Sequence, residues 1–550
     1  MIRNKILRRR GIAILLLSLL VALALYGKDI YGEISQSMRL YNSTYRQLLV
    51  NYVDPIKAEE FTEKALKNML KELDPYTVFL TDEENEPLEV LSKGSYGGVG
   101  LQISLRNDTL TVITPMETGP AKRAGIFAGD KIVKVDTVST TGMNLDQCAK
   151  LIRGEIGTPT SLTIVRPGMS DVSVYNLVRE TIQVEDVSYA GFLENGVGYI
   201  KLTGFSRGAS GEIQKALRSF GSNPDFRSVI LDLRGNSGGL LDEALSVSEL
   251  FTEVGDTILL TRGRTNTANK IFISKQAPAI PASIKMAVLI DQGSASASEI
   301  VAGVIQDLDR GVVVGQPSFG KGLVQTVYRL DDKHSLKITT AKYYIPSGRL
   351  IQKPDFIQNK DLVEDIVPAD IVYHSRNGRD LKGGGGITPD LDLAEKNMPK
   401  YVRELWRQNM FYKYALNYKS GHPDLTTNLV VDATMLPDFQ NFIVKNGFDY
   451  QTKTEESLKN VEKQMKEDEN FKDMNTSFDE YFKVFNSIKA REFNQHEEYI
   501  TYGILSELGT LLDGIPGRVK TTFRYDKAVQ KALEVLEDGS DYQMTLGYAQ

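Results

Sequence analysis

Three serines stand two residues apart, Ser294, Ser296 and Ser298, and a lysine flanked by glycines, Lys321, follows them along the chain. A serine hydroxyl is a poor nucleophile until a base takes its proton. Lysine can be that base, in a Ser–Lys pair that replaces Ser–His–Asp. Its ordinary pKa is about 10.4, so service near neutral pH requires a fall of about 3, or roughly 4 kcal/mol. Burial against apolar surface acts in that direction, and Phe319, Val324 and the adjoining glycines are the apolar neighbours in sequence. Two plainer readings stand beside this one. Serines ahead of a helix are usually N-caps, and a lysine between glycines is usually a solvated loop charge. Histidine chemistry has less support. Only four histidines occur. His334 sits beside Asp331, Asp332 and Lys333 in an expected hairpin turn, and His374, His422 and His496 lie in polar surroundings. No paired histidines or cysteines fall at ligand spacing, so no metal and no cofactor is expected.

The elements around these residues place them together. Residues 286–291 read as a buried strand, 292–294 as a turn, about 300–308 as a helix and 312–315 as a second strand. That succession predicts a right-handed βαβ unit with a parallel sheet. Such sheets bind ligands at the C-terminal ends of their strands, where both the serine run and the lysine fall. Upstream, the apolar strand 228–233 runs into Arg234-Gly235-Asn236-Ser237-Gly238-Gly239 and a helix over 240–251. A strand, a glycine loop and a helix leave backbone N–H groups free at a helix N-terminus, where an oxyanion can rest. Phosphate binding fits less well, because the loop has no basic residue beyond Arg234 and no Walker lysine. Residues 335–344 form a further strand rich in β-branched side chains, and Gly383 to Gly386 begin a loop returning to the same body.

A separate unit precedes this core. Tyr96-Gly97-Gly98-Val99-Gly100-Leu101 feeds a strand at 101–105, followed by a strand at 110–114, a short helix at 120–124 and a strand at 131–135. A helix at 144–153 and a strand at 161–165 follow. Consecutive glycines let N–H groups converge on an anion, and an open strand beside them accepts an extended peptide. Gly98, Val99, Gly100 and Leu101 are therefore the candidate residues for a peptide's terminal carboxylate. Most glycine loops are only turns, and this one matches neither a Walker loop nor a dinucleotide fingerprint.

The chain as a whole sets the bounds. Its 550 residues suffice for two to four domains. Charged residues make up 25% and hydrophobic ones 41%, values of a soluble globular protein. A net charge of −6 leaves no basic footprint for nucleic acid. The single cysteine, Cys148, excludes an intrachain disulfide. At the N-terminus, Arg3, Lys5, Arg8, Arg9 and Arg10 precede an uncharged apolar run over 11–26. This reads as a signal peptide or an uncleaved anchor in the inner membrane, with Ala22-Leu23-Ala24 as a cleavage site. Either way the basic flank stays inside and the remainder is exported, to the periplasmic side of a cell envelope. Residues 34–73 show a helical pattern with no chemistry. Beyond about 394 the chain is helical and polar. A cap, an oligomerisation surface and a platform for an adaptor protein all remain open for it.

Gly98-Val99-Gly100-Leu101, Gly119-Pro120-Ala121, Ala124-Gly125-Ile126 and Gly129-Asp130 resemble the bacterial form of the PDZ domain. The run from Gly293 to Glu299, Phe319-Gly320-Lys321-Gly322 and Gln325 resemble the carboxyl-terminal processing proteases. So do Asp232 to Gly239 and Ala341 to Gly348. The likeness spans roughly 52–390. It implies that Ser296 is the nucleophile, Lys321 the general base and Gln325 the residue orienting it. It implies oxyanion donors at the N–H groups of Gly238 and Ala297. It also implies an α/β protease core related to the crotonases. The domains so expected are a signal or anchor at 1–27, a helical segment at 28–90, a PDZ-like domain at 94–182, a Ser–Lys protease core at 183–392 and a helical domain at 393–550. The expected activity is cleavage of envelope proteins whose C-terminal tails the PDZ-like domain captures. The alternatives are a membrane-tethered peptide-binding scaffold with an inactive body and a crotonase-like acyl-CoA enzyme.

Overall fold

The computed structural model describes residues 30–548, except 168, 170, 355–371, 394–397, 430, 432–433 and 469–477. The expected signal or anchor at 1–27 lies outside the described residues. No described helix is long and apolar enough to cross a membrane. The chain divides into two units, Met1–Leu73 and Asp74–Gln550. In the first, the helices Ile30–Asn51 and Ala58–Lys71 meet through Tyr45, whose hydroxyl lies 2.7 Å from Thr62 Oγ1. The expected helical segment at 28–90 also holds the helix Asp82–Lys93, but a strand interrupts it. Val78–Leu80 is a strand paired with Ser335–Tyr344 and belongs to the second unit. The reason is local: the Asp74 carboxylate accepts the N–H groups of Tyr76 and Thr77, 2.8 and 2.9 Å away, and turns the chain into a strand.

The PDZ-like domain is an insertion. A two-stranded ribbon, Ser95–Gly98 against Glu180–Gln183, leads into it and out again. Between them, the strands Leu101–Arg106, Thr109–Pro115, Lys131–Val135, Pro159–Val165 and Val172–Val178 form an antiparallel sheet. The last strand extends the unit beyond 165. The helix Leu145–Ile152 packs beside the first strand and buries Cys148 and Ile152 in the domain's own core.

The main sheet runs in the order Val187–Phe192, Val197–Leu202, Ser228–Asp232, Lys285–Ile290, Val312–Gly315, Leu391–Asp392. All pairings after the first are parallel. Asp232 is paired with Leu289, and Ile290 with Gly315, so the loops that follow all three strands leave the same edge side by side. The helices Ala209–Gly221, Leu241–Glu249 and Ala297–Asp307 cover one face, and every residue of the last is buried. A second sheet joins Val78–Leu80, Ser335–Tyr344, Thr257–Arg262 and Lys270–Ile273, with Leu323–Arg329 on the other side of Ser335–Tyr344.

The other face of the parallel sheet is covered from far along the chain. Val529, Ala532, Val535 and Leu536 of Lys527–Glu537, with Tyr542 and Leu546, pack on Tyr199, Ile230, Leu289 and Val314. The expected helical domain at 393–550 is thus two things. Its earlier helices, Lys400–Arg407, Met410–Gly421, Met435–Lys445 and part of Glu497–Thr522, build a separate aromatic-rich core. Its last two helices belong to the body of the main sheet, because a parallel sheet must be covered on both faces. Each buried aliphatic or aromatic side chain there contributes about 1.5–3 kcal/mol. Together they rival a domain's net stability of about 5–15 kcal/mol. A chain ending at Thr522 is therefore expected to lose its cooperative thermal unfolding transition. A truncated chain that is soluble and melts cooperatively would show that these helices are dispensable.

Candidate active site

Ser296 stands directly before the helix Ala297–Asp307 with φ 55° and ψ −112°. A non-glycine residue pays for such a conformation, and strain of this kind gathers at functional sites. It is also how a strand-to-helix elbow lifts a nucleophile out of its surroundings. The other two serines are spent on structure. Ser294 Oγ donates to Leu233 O at 2.9 Å and accepts the Asp291 N–H at 3.0 Å. Ser298 Oγ donates to Asn236 O at 2.8 Å. Both are fully buried, whereas Ser296 is half-buried.

Two side chains join the serine loop to the lysine loop. Glu299, three residues past Ser296, is buried and accepts four hydrogen bonds. Ser296 N–H and Lys321 N–H donate to Oε2, each at 2.8 Å. Gly320 N–H, at 2.7 Å, and the Ser318 hydroxyl, at 2.5 Å, donate to Oε1. Burial pushes the Glu299 carboxyl above its usual range, and the four donors oppose that shift. From the other side, the buried Tyr343 hydroxyl donates to the Lys321 carbonyl and lies 3.2 Å from the Ser296 carbonyl. The peptide groups of both residues are thus held at their N–H ends by one carboxylate and at their C=O ends by one phenol.

Lys321 is half-buried, and its Nζ lies over the Tyr76 ring, 4.6 Å from the centroid. Among the described residues it forms no ion pair. Desolvation lowers its pKa and the like charge of Lys337 adds to the fall, while Glu299 and Asp74 oppose it. The sequence neighbours are not what shelters it. Phe319 is 43% exposed and lies under Lys353, 5.6 Å from its Nζ. Tyr76 was not legible as a site residue, because Asp74-Pro75 reads only as a helix break. Glu299 and Tyr343 stood within the motifs without a role. Gln325 lies on Leu323–Arg329, where its Nε2 donates to Thr339 Oγ1 at 3.4 Å. Thr339 Oγ1 in turn donates to Asp74 Oδ1 at 3.2 Å.

The glycine loop abuts the serine. Gly238 holds φ +100°, and a Cβ on it would fall 2.9 Å from Ser296 Cβ and 3.0 Å from Ala297 N. Its N–H is donated to Asn236 Oδ1 at 2.9 Å. Ala297 is the first residue of its helix, where the N–H has no partner within the helix. Behind the loop, Arg234 bridges buried Asp232 and Asp526, the N-cap of Lys527–Glu537, with both guanidinium nitrogens 2.9 Å from the Asp526 carboxylate. Burial alone would raise the Asp232 pKa, but Arg234 and Lys201 hold it far below the usual carboxylate range.

In the PDZ-like domain, Gly98 pairs with Glu180, Val99 and Leu101 are buried, and Gly100 takes φ +72°. The carbonyls of Val99 and Gly100 accept the N–H groups of Ala121 and Met116, at 3.0 and 2.9 Å. In a trans peptide the next N–H points the opposite way, so those of Gly100 and Leu101 turn away from the 116–121 segment. The histidines are engaged elsewhere: His334 with Asp331, His374 with Asp380, His422 with the Tyr418 carbonyl, and His496 beside Tyr499. No cluster of metal ligands occurs among the described residues.

The fold and the motifs define a serine-type peptidase that carries a PDZ domain. Residues 196–360 match the description "Peptidase family S41", residues 111–166 "PDZ domain", and residues 401–536 "Probable PDZ-protease, C-terminal helical domain". A carboxy-terminal-processing protease of Bartonella bacilliformis is 35% identical over 338 residues, 60% of this chain and 77% of the relative. A carboxyl-terminal-processing protease of Synechocystis sp. is 34% identical over 376 residues, 64% of this chain and 86% of the relative. Among solved structures, the photosystem II D1 C-terminal processing protease matches at 26% identity with a TM-score of 0.36, covering 65% of this chain and 87% of that one. The chain belongs to the carboxy-terminal-processing protease family, within peptidase family S41.

Two measurements test the site. Glu299→Gln turns an amide NH2 toward N–H donors and breaks bonds to at least one loop. Urea unfolding is expected to show a loss of about 2–3 kcal/mol, with a fall in kcat/KM; wild-type stability would mean the carboxylate holds nothing. A base must be unprotonated, so if Lys321 is the base, kcat/KM is expected to rise with pH through its pKa. Lys337→Gln removes a repelling charge, favours the ammonium and raises that pKa, which moves the acid limb to higher pH. A limb that stays or moves down would remove Lys337 as a cause.

Proposed function

We propose that the chain is an envelope serine endopeptidase that captures the C-terminal tails of unfolded or flexible proteins and cuts them through an acyl-enzyme. The observation that carries this reading is the strained Ser296 backbone, tied to Lys321 by the shared Glu299 and Tyr343. In the proposed mechanism a tail carboxylate rests on the N–H groups of the 98–101 loop, and the tail continues along Leu101–Arg106. The neutral Lys321 amine takes the Ser296 proton as Oγ adds to a peptide carbonyl. The oxyanion sits on the N–H groups of Gly238 and Ala297, the former released from Asn236. The ammonium then passes its proton to the departing amine nitrogen, which leaves an ester on Ser296. Lys321 next deprotonates the water that hydrolyses it. With Nε2 on Thr339, the Gln325 amide oxygen is left to hold the Lys321 amine.

The basic and apolar N-terminus would export the body to the periplasmic side, either cleaved or kept as an inner-membrane anchor. An adaptor protein or a second copy of the chain is the proposed partner of the C-terminal helices.

Ser296→Ala and Lys321→Met are each expected to lower kcat/KM on a tail peptide by at least a thousandfold while keeping the wild-type melting temperature. Ser296→Ala should also lose labelling by a serine-directed acylating reagent. Full turnover in either folded variant would remove the Ser–Lys assignment.

A further inference from the structure

A cleft of ≈ 660 Å³ opens on the second sheet, within the range of ligand sites, about 300–1,000 Å³. Val324, Thr326 and Tyr328 line it at every second position of Leu323–Arg329, so they present one face of that strand. Ile338 and Phe272 add apolar surface from neighbouring strands. The Thr326 and Thr340 hydroxyls, 2.9 Å apart, add polar surface without charge.

Three lining residues tie this cleft to the catalytic loops. Val324 is three residues past Lys321, and Leu241 is three residues past Gly238. Thr339 is the residue on which Gln325 rests. The cleft is thus joined through the chain to the loops that carry Lys321 and Gly238.

The charges in the cleft are of one sign. Arg264 and Lys270 line it, and no aspartate or glutamate does. Both cations are exposed, and among the described residues neither forms an ion pair. Unpaired cations beside an apolar and hydroxyl surface complement an anionic side chain and repel a cationic one. We propose that this cleft holds substrate residues next to the scissile bond and selects an extended segment of apolar or β-branched residues with an acidic side chain facing Arg264 and Lys270. The proposal rests on the reading of Ser296 as nucleophile, since that places the scissile bond.

The test uses the full chain and peptides sharing one tail, with Glu, Gln or Lys placed in turn at each position flanking the cut. At one position or more, Glu is expected to exceed Lys by at least tenfold in kcat/KM. The double variant Arg264→Gln/Lys270→Gln should bring that ratio near one, and Arg264→Glu/Lys270→Glu should invert it. A wild type indifferent to charge at every position overturns the proposal, as does a preference that survives both double variants. If the wild type cuts none of these peptides, the protease reading fails. The cleft is then judged by binding to Ser296→Ala, with peptides amidated at the C-terminus to bypass the PDZ domain. Tenfold tighter binding of the Glu peptide, lost on charge reversal, supports the cleft. Equal binding of Glu and Lys peptides overturns it.

Discussion

One buried carboxylate carries the geometry of this site. Glu299 takes an N–H from Ser296 and another from Lys321 on the same oxygen, so neither backbone can move without breaking a charge-assisted bond. Its second oxygen holds Ser318 and Gly320, which shape the approach to the lysine. A carboxylate this deep is tolerated because its donors replace the water it has lost. Tyr343 completes the arrangement from the carbonyl side. The strain at Ser296 persists because the surrounding bonds leave the residue no alternative.

The same logic extends outward. The loop carrying Gly238 is anchored by Asn236, whose carbonyl accepts both the Ala295 N–H and the Ser298 hydroxyl. At its start it is anchored by Arg234, between Asp232 and Asp526. Because Asp526 also caps the helix that covers the back of the sheet, the Gly238 loop and the C-terminal helices share one ionic contact. The PDZ domain is tied in similarly. Arg106 pairs with Glu507 at 3.2 Å and stacks on Tyr412, and Asn107 bonds Asn409. Its strands thus rest on the helical domain as well as on the ribbon that inserts it.

Much of this was legible from residue order. The βαβ unit, the glycine loop and the inserted domain all follow from apolar periodicity broken by glycine and small residues. The serine run and Gly-Lys-Gly mark the ends of the strands Lys285–Ile290 and Val312–Gly315. Less legible was which serine differs from the others, since all three share the same flanks. Nor did sequence show what shelters Lys321, because proximity along the chain made Phe319 a natural candidate and Tyr76 an unrelated residue. The strand inside the segment 28–90 and the docking of the last helices on the main sheet were hidden for a related reason. Val78–Leu80 and Lys527–Glu537 satisfy local rules for strand and helix that say nothing of their distant partners.

The sequence by itself determined the family, the order of the elements and the residue types able to do acyl transfer, because those depend on short-range patterns and on motifs. Tertiary structure alone decided which groups meet. It spent Ser294 and Ser298 on loop bonds, bent Ser296 into a strained turn, laid Tyr76 on Lys321 and closed the sheet with the last helices. The reason is that burial and hydrogen-bond satisfaction are settled between surfaces brought together by folding, and partners in that exchange need no closeness in the chain.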